Sequence, residues 1–220
     1  MIRFLLFKEH ETRKSILDKI MSFYRKQLFL EQVTKVGPGF KIGPRENKIV
    51  RGEGAQIIIG NNVTIYSPVE ITATTHIYSK SYVKIGDRTR IGRYCAIRAA
   101  KGIEIGKDCL LANYVRMYDY NGHPLSPGSY NDIKTLRNRS ASPPNEVSEI
   151  RIGSNVWIGE NTFIQRGVTI GDGSIVSANS VVTKDVPEHT VVFGIPARVI
   201  LWLDKLEGNE GKSAIEIDTL

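Results

Sequence analysis

Four histidines are available for proton chemistry near neutral pH, at positions 10, 76, 123 and 189, and one of them has a suggestive context. His123 sits in Asp119-Tyr120-Asn121-Gly122-His123-Pro124, within a stretch rich in Gly, Pro, Asn and Ser that reads as a long loop. Imidazole exchanges a proton near working pH, so a histidine held in such a loop can take the proton of a hydroxyl whose own pKa lies far higher. The residues alone leave a plainer reading open, a solvated turn histidine. Asp119 is likewise open between orienting the ring and forming a turn. The other three histidines read as surface residues. Cys95 and Cys109 have no CxxC spacing and no histidine nearby, so neither a disulfide framework nor a metal site is expected. There is no Walker-type or Rossmann glycine loop, so a nucleotide is expected only as part of a larger cofactor.

The element that must hold such a loop is a repeat. Aliphatic residues recur at Ile59, Ile65, Ile71, Ile77, Ile85, Ile91, Ile97, Ile105, Leu111 and Met117, and again at Ile152, Ile158, Ile164, Ile170, Val176 and Val182. Seven of these sixteen are followed directly by Gly. The residue two before each is small or β-branched, Thr89, Cys95, Cys109 and Thr162 among them. Residues two apart point to the same side of a strand, so each hexad reads as one short strand with two inward side chains and a turn. A helix would need a period near 3.6. The pattern predicts a coiled parallel β-solenoid in which like positions stack and both cysteines fill inward sites. The steps from Ile77 to Ile85 and from Ile97 to Ile105 are eight residues, which predicts bulges at corners. Between Met117 and Ile152 the repeat stops, which predicts a segment ejected from the coil over 118–149.

Three parts follow: a basic helical segment over 1–50, the solenoid over 51–200, and a C-terminal helix with an acidic tail over 201–220. Residues 10–33 space Ile16, Ile20, Phe23, Tyr24, Leu28 and Leu30 as an amphipathic helix, expected to cap the first coil and to shield its edge. The formal charge is +7, and eleven Lys or Arg against five acids lie within residues 1–50. Charge gathered at one end reads as a solvated helix face or a contact with an anionic membrane surface, rather than as nucleic-acid binding. No stretch is long and apolar enough to span a bilayer, and the apolar run at the start is too short for a secretory signal, so a cytoplasmic protein is expected.

From Ile150 to Ile200 the sequence resembles the C-terminal half of hexapeptide-repeat acetyltransferases, such as the galactoside, maltose and polysaccharide O-acetyltransferases. The resemblance is carried by Asn155-Val156-Trp157-Ile158-Gly159, Thr183-Lys184-Asp185-Val186-Pro187 and Gly194-Ile195-Pro196-Ala197-Arg198-Val199-Ile200. The repeat extends it back to about residue 57, and Asp119 with Gly122-His123-Pro124 is similar to the family's catalytic-histidine segment. The resemblance implies an all-β solenoid, a left-handed parallel β-helix of triangular section, assembled as a homotrimer with active sites between subunits. It implies acetyl-CoA as co-substrate, no metal, and transfer of acetyl to a hydroxyl of a saccharide acceptor in surface-polysaccharide or lipopolysaccharide biosynthesis. His123 and Asp119 would be the catalytic residues, His123 as general base and Asp119 orienting its ring or binding acceptor hydroxyls, and Asn113 a substrate-binding residue. Trp157, Gly159, Ala178, Thr183, Lys184 and Arg198 would lie along the cofactor groove. An amino acceptor on a sugar or a drug, and a noncatalytic β-helix scaffold, are the alternatives. A zinc-dependent anhydrase on the same solenoid would need paired histidines, and these four are scattered.

Overall fold

A six-residue unit with two inward side chains buries too little to stand alone and becomes stable only when the next coil stacks on it. A computed structural model describes residues 2–75, 80–121 and 146–204, with side chains from Ile16 onward, and the hexads stack in this way as a left-handed parallel β-helix. The first face holds Lys35–Val36, Gln56–Ile59, Tyr82–Ile85, Gly102–Ile105, Ile150–Ile152 and Thr169–Ile170. The second starts at Lys41–Ile42 and continues through Thr64–Ile65, Arg90–Ile91, Leu110–Leu111, Trp157–Ile158 and Ile175–Val176. The third holds Lys48–Arg51, Glu70–Ala73, Ala96–Ala99, Arg116–Tyr118, Phe163–Ile164 and Val181–Val182.

The aliphatic ladder is in exact register between coils. Ile59, Ile85, Ile105, Ile152 and Ile170 pair in turn on the first face. Ile71, Ile97, Met117, Ile164 and Val182 pair on the third. All of them are buried. The small residues two places earlier do more than fill space. Thr89 donates its hydroxyl to the carbonyl of Gly106 at 2.8 Å, Ser174 donates to Pro187 at 2.6 Å, and the thiols of Cys95 and Cys109 point at the carbonyls of Ala112 and Gly153, each at 3.1 Å. Each satisfies a corner carbonyl that the next strand does not reach. Burial pushes the Cys95 thiol up to about 12 and raises that of Cys109 as well. Both thiols are therefore expected to resist a disulfide-exchange reagent in the native protein at pH 8 and to react fully in denaturant, read by thiol titration.

Corners impose a backbone cost. Asn62, Arg88, Asp108 and Asn155 stack at one corner with φ of 54 to 60°, and Tyr94, Tyr114, Asn161 and Asn179 at the next with φ of 56 to 61°. Asn tolerates this left-handed region and Tyr does not. At Tyr94 and Tyr114 the rings stack at 4.9 Å, a contact that offsets the strain.

The structure departs from the sequence expectations in four places. The solenoid begins at Lys35 rather than at residue 51, with Val36, Ile42 and Ile49 in register with Ile59, Ile65 and Ile71. The steps of seven from Ile42 to Ile49 and of ten from Ile49 to Ile59 hide this coil from a six-residue count. Ile77 lies outside the described residues, and the rung expected of it belongs to Ile85, which pairs with Ile59. The helix runs over Ile2–Glu31, but its contact with the first coil comes from its last turns. There Phe29 is buried and stacks on Phe40 at 5.4 Å, and Arg25 donates to the carbonyl of Pro44, whereas Ile16, Ile20, Phe23, Tyr24 and Leu28 stay exposed. Finally, the C-terminal helix expected from residue 201 does not start there: residues 201 and 202 are strand, and residues 205–220 lie outside the described residues. Thr190–Gly194 adds to the second face, and Ala197–Trp202 pairs with it antiparallel, which covers that sheet edge with a hairpin. The acidic tail lies outside the described residues.

Candidate active site

Apart from one extra residue between Ile42 and Ile49, the insertions between described strands leave the solenoid at the same corner, between the third face and the first. The chain departs there after Glu70–Ala73 in the second coil and returns at Tyr82, Ala100 and Lys101 depart after the third, and the long segment after Arg116–Tyr118. The small insertion prepares a seat for the large one. Asp119, the first residue beyond the fourth coil, is fully buried directly beside Ala100 and Lys101 in the coil below. Its Oδ1 accepts the amide of Ala100 at 2.7 Å, and its Oδ2 accepts those of Lys101 at 2.8 Å and Gly102 at 2.6 Å. Burial pushes the carboxyl up from its usual range, and the three amides pull it back. With three N–H groups aimed at two oxygens, the ionised form is the one that fits. The partners that the structure gives Asp119 are thus backbone amides of its own support.

Above this seat the two ends of the segment form a stem. Tyr120 and Val147 make an antiparallel bridge, Ser148 donates its amide to the carbonyl of Asp119 at 2.8 Å, and Asn121 donates its amide to Glu146 at 3.2 Å. Arg166, from the corner of the next coil, grips both sides. Its Nε donates to Oδ1 of Asn121 at 3.1 Å, and a terminal nitrogen pairs with the Glu146 carboxylate, which also accepts from Nδ2 of Asn121 at 3.0 Å. Aromatic packing holds the outer side. Tyr118 has the Arg98 guanidinium 4.9 Å from its ring centre, Phe163 edge-on at 5.5 Å and Tyr120 at 6.5 Å. His123, two residues past Asn121, lies outside the described residues.

The sequence reading did not find Arg166, Glu146 or the aromatic cluster. Asn121 and Glu146 are 25 residues apart and meet only because the solenoid returns the chain to the same corner, and no local spacing carries that. Arg166→Ala is expected to weaken the stem by about 1 kcal/mol. That is the scale of a partly solvated pair, since the two side chains keep 29% and 43% of their surface exposed. Faster amide hydrogen exchange at Asn121 and Ser148, with unchanged exchange in the ladder strands, is the readout.

The remaining candidates fall on other parts of the coil. Trp157 stands outward on the second face, 51% exposed, between Leu110 below and Ile175 above. Gly159 and Ala178 stack at the corner between the second and third faces. A Cβ on Gly159 would come within 2.4 Å of the Ala178 nitrogen, so the close approach that demands glycine there is that of the chain's own next coil. Asn113 belongs to the same column, and its Oδ1 accepts the amide of Arg93 at 2.9 Å. Thr183 and Lys184 are exposed at the corner of the long segment, two coils further on, and Arg198 is exposed on the terminal hairpin. The chain thus brings Asn113, Gly159 and Ala178 together, with Trp157 on the adjoining face, and leaves Thr183, Lys184 and Arg198 elsewhere. Among the described residues no three His, Cys, Asp or Glu side chains gather to hold a metal ion.

Comparison with known proteins agrees with this architecture. Residues 149–184 match the bacterial transferase hexapeptide family (six repeats), and residues 82–115 match the hexapeptide repeat of succinyl-transferase. WbbJ of Escherichia coli K12, named as an O-acetyl transferase of lipopolysaccharide biosynthesis, is 32% identical over 158 residues, which is 69% of this chain and 74% of that protein. The galactoside O-acetyltransferase of the same organism is 32% identical over 143 residues, 64% of this chain and 62% of that protein. Among solved structures, the polySia-specific acetyltransferase NeuO superposes with a TM-score of 0.51 at 27% identity, covering 78% of this chain and 86% of its own. A variant of AntD, an N-acyltransferase from Bacillus cereus, superposes with a TM-score of 0.64 over 83% of this chain and 92% of its own. At 23% identity that likeness speaks for the fold alone.

Proposed function

The chain belongs to the hexapeptide-repeat acetyltransferases, and from that membership we propose that it moves an acetyl group from acetyl-CoA to a hydroxyl of a saccharide acceptor, with His123 as general base. The observation that carries this reading is the built stem. A buried carboxylate beneath it and an arginine across it fix the chain up to Asn121, two residues short of the histidine. The names of the relatives, O-acetyl transferases of lipopolysaccharide and of galactosides, favour a hydroxyl on a sugar and a role in making a surface glycan.

In the reaction His123 takes the acceptor proton as the oxygen attacks the thioester carbon. A tetrahedral intermediate collapses with cleavage of the C–S bond, and the proton passes to the leaving CoA sulfur. The acetyl-CoA arm would lie along the column of Gly159 and Ala178 beside Trp157, where exposed apolar surface and corner amides suit pantetheine. The cations Lys184 and Arg198 suit its phosphates. Those cations stand away from the column within one protomer, so we place the complete site between copies of a homotrimer. Acetyl-CoA is made in the cytoplasm, and we place the protein there.

The test is CoA thiol release against a panel of free sugars, nucleotide sugars, oligosaccharides and amino sugars. Turnover that depends on a hydroxyl-only acceptor supports the reading. Turnover confined to amino sugars moves it to N-acetylation, and absence of acetyl-CoA binding overturns it in favour of a scaffold.

A further inference from the structure

The helix Ile2–Glu31 is anchored to the solenoid at one end, through Phe29, and what it leaves uncovered is organised. From Ile16 to Leu28 seven large apolar side chains are 44 to 65% exposed, Phe23 and Leu17 the most. At about 100° per residue they occupy one arc of about 160°, running from Phe23 through Ile16, Ile20 and Tyr24 to Leu28 and Met21. Lys19 and Lys26 border the arc at its Phe23 edge, while at the Met21 edge Asp18 lies beside Arg25, whose guanidinium donates to the Pro44 carbonyl. Exposed apolar area of this size is rare on a protein that has nothing to cover it.

We propose that this face binds the surface of an anionic lipid membrane, with the helix lying in the interface. The arrangement fits that partner on three counts. Apolar side chains can enter the acyl boundary while the bordering lysines extend back to the headgroup phosphates. The basic excess of residues 1–50, eleven cations against five acids, supplies long-range attraction to the same charge. The helix is not long and apolar enough to cross a bilayer, so it lies on the surface. A second copy of the chain fits less well. A helix seam buries a narrow stripe, which would leave Leu28 and Met21 at the margin of the arc in water, and the bordering lysines of the copies would be brought toward one another. The inference rests on the helix and not on the proposed reaction, and its test does not use catalysis.

The experiment is co-sedimentation of the full chain with vesicles of phosphatidylcholine alone and of phosphatidylcholine with phosphatidylglycerol. Binding to the anionic vesicles only is expected, falling about tenfold in the double variant Lys19→Glu/Lys26→Glu and on raising salt. Phe23→Asp is expected to cause a comparable loss. Each variant should melt as wild type does, because the altered side chains are exposed, so that lost binding is not lost folding. Failure to bind either vesicle, or equal binding to both, overturns the proposal. So does a change in sedimentation coefficient of Phe23→Asp without lipid, which would assign the face to contact between copies.

Discussion

His123→Ala should lower kcat for acceptor-dependent CoA release by about 10²–10⁴-fold and leave the KM for acetyl-CoA within about twofold. The large term comes from the acceptor. A sugar hydroxyl is a weak nucleophile until its proton has somewhere to go as the C–O bond forms, and the variant removes the group assigned to take it. The small term follows from placement. Trp157, Gly159 and Ala178 belong to the second face and the corner after it, whereas the segment carrying His123 leaves from the corner between the third face and the first. Losing the imidazole therefore leaves the cofactor column as it was. Residue 123 is not one of the inward ladder positions either, so the melting temperature should not move. A variant that turns over a good acceptor as fast as wild type would remove His123 from the mechanism while leaving the fold and the family untouched.

Why the solenoid could be read from sequence and its support for the loop could not is a matter of distance along the chain. Each inward hexad position is filled by a residue whose type is dictated within its own six residues, two side chains inward and a turn, so Ile59 to Val182 declare themselves locally. The first coil obeys the same physics, but steps of seven and ten residues, from Ile42 to Ile49 and from Ile49 to Ile59, carry no period. Ile77 shows the converse, a residue at the right count whose rung is supplied by Ile85. At the site, the resemblance indicated His123 and the cofactor positions, and their roles rest on it. The architecture beneath the loop depends on contacts between coils. Arg166 reaches Asn121 from 45 residues away, and Gly159 is explained by Ala178, 19 places on, as much as by any ligand. The two extra residues between Ile97 and Ile105 are visible in the sequence as a bulge, but what the bulge is for becomes evident only when Asp119 is found bonded to it.

Asp119→Ala should cost about 3–5 kcal/mol of folding stability, the largest loss expected of any single polar residue described. The alanine would leave the amides of Ala100, Lys101 and Gly102 facing a void at a site where the wild-type side chain is fully buried. A donor stranded in that way forfeits its desolvation cost, about 1–3 kcal/mol each before the corner relaxes, and here three share one acceptor group. Asp119→Asn separates support from chemistry. It keeps the shape but turns an NH2 toward amide donors, so it should also destabilise, by less than alanine, and activity per folded molecule should follow the integrity of the stem. Were Asp119 instead the partner of an imidazole, the asparagine variant would fold with wild-type stability and lose kcat alone, through the wrong tautomer. Urea denaturation of both variants, set beside CoA release at a temperature where each is folded, distinguishes the two. The three short amide contacts predict that stability moves first and that the reaction is lost with it.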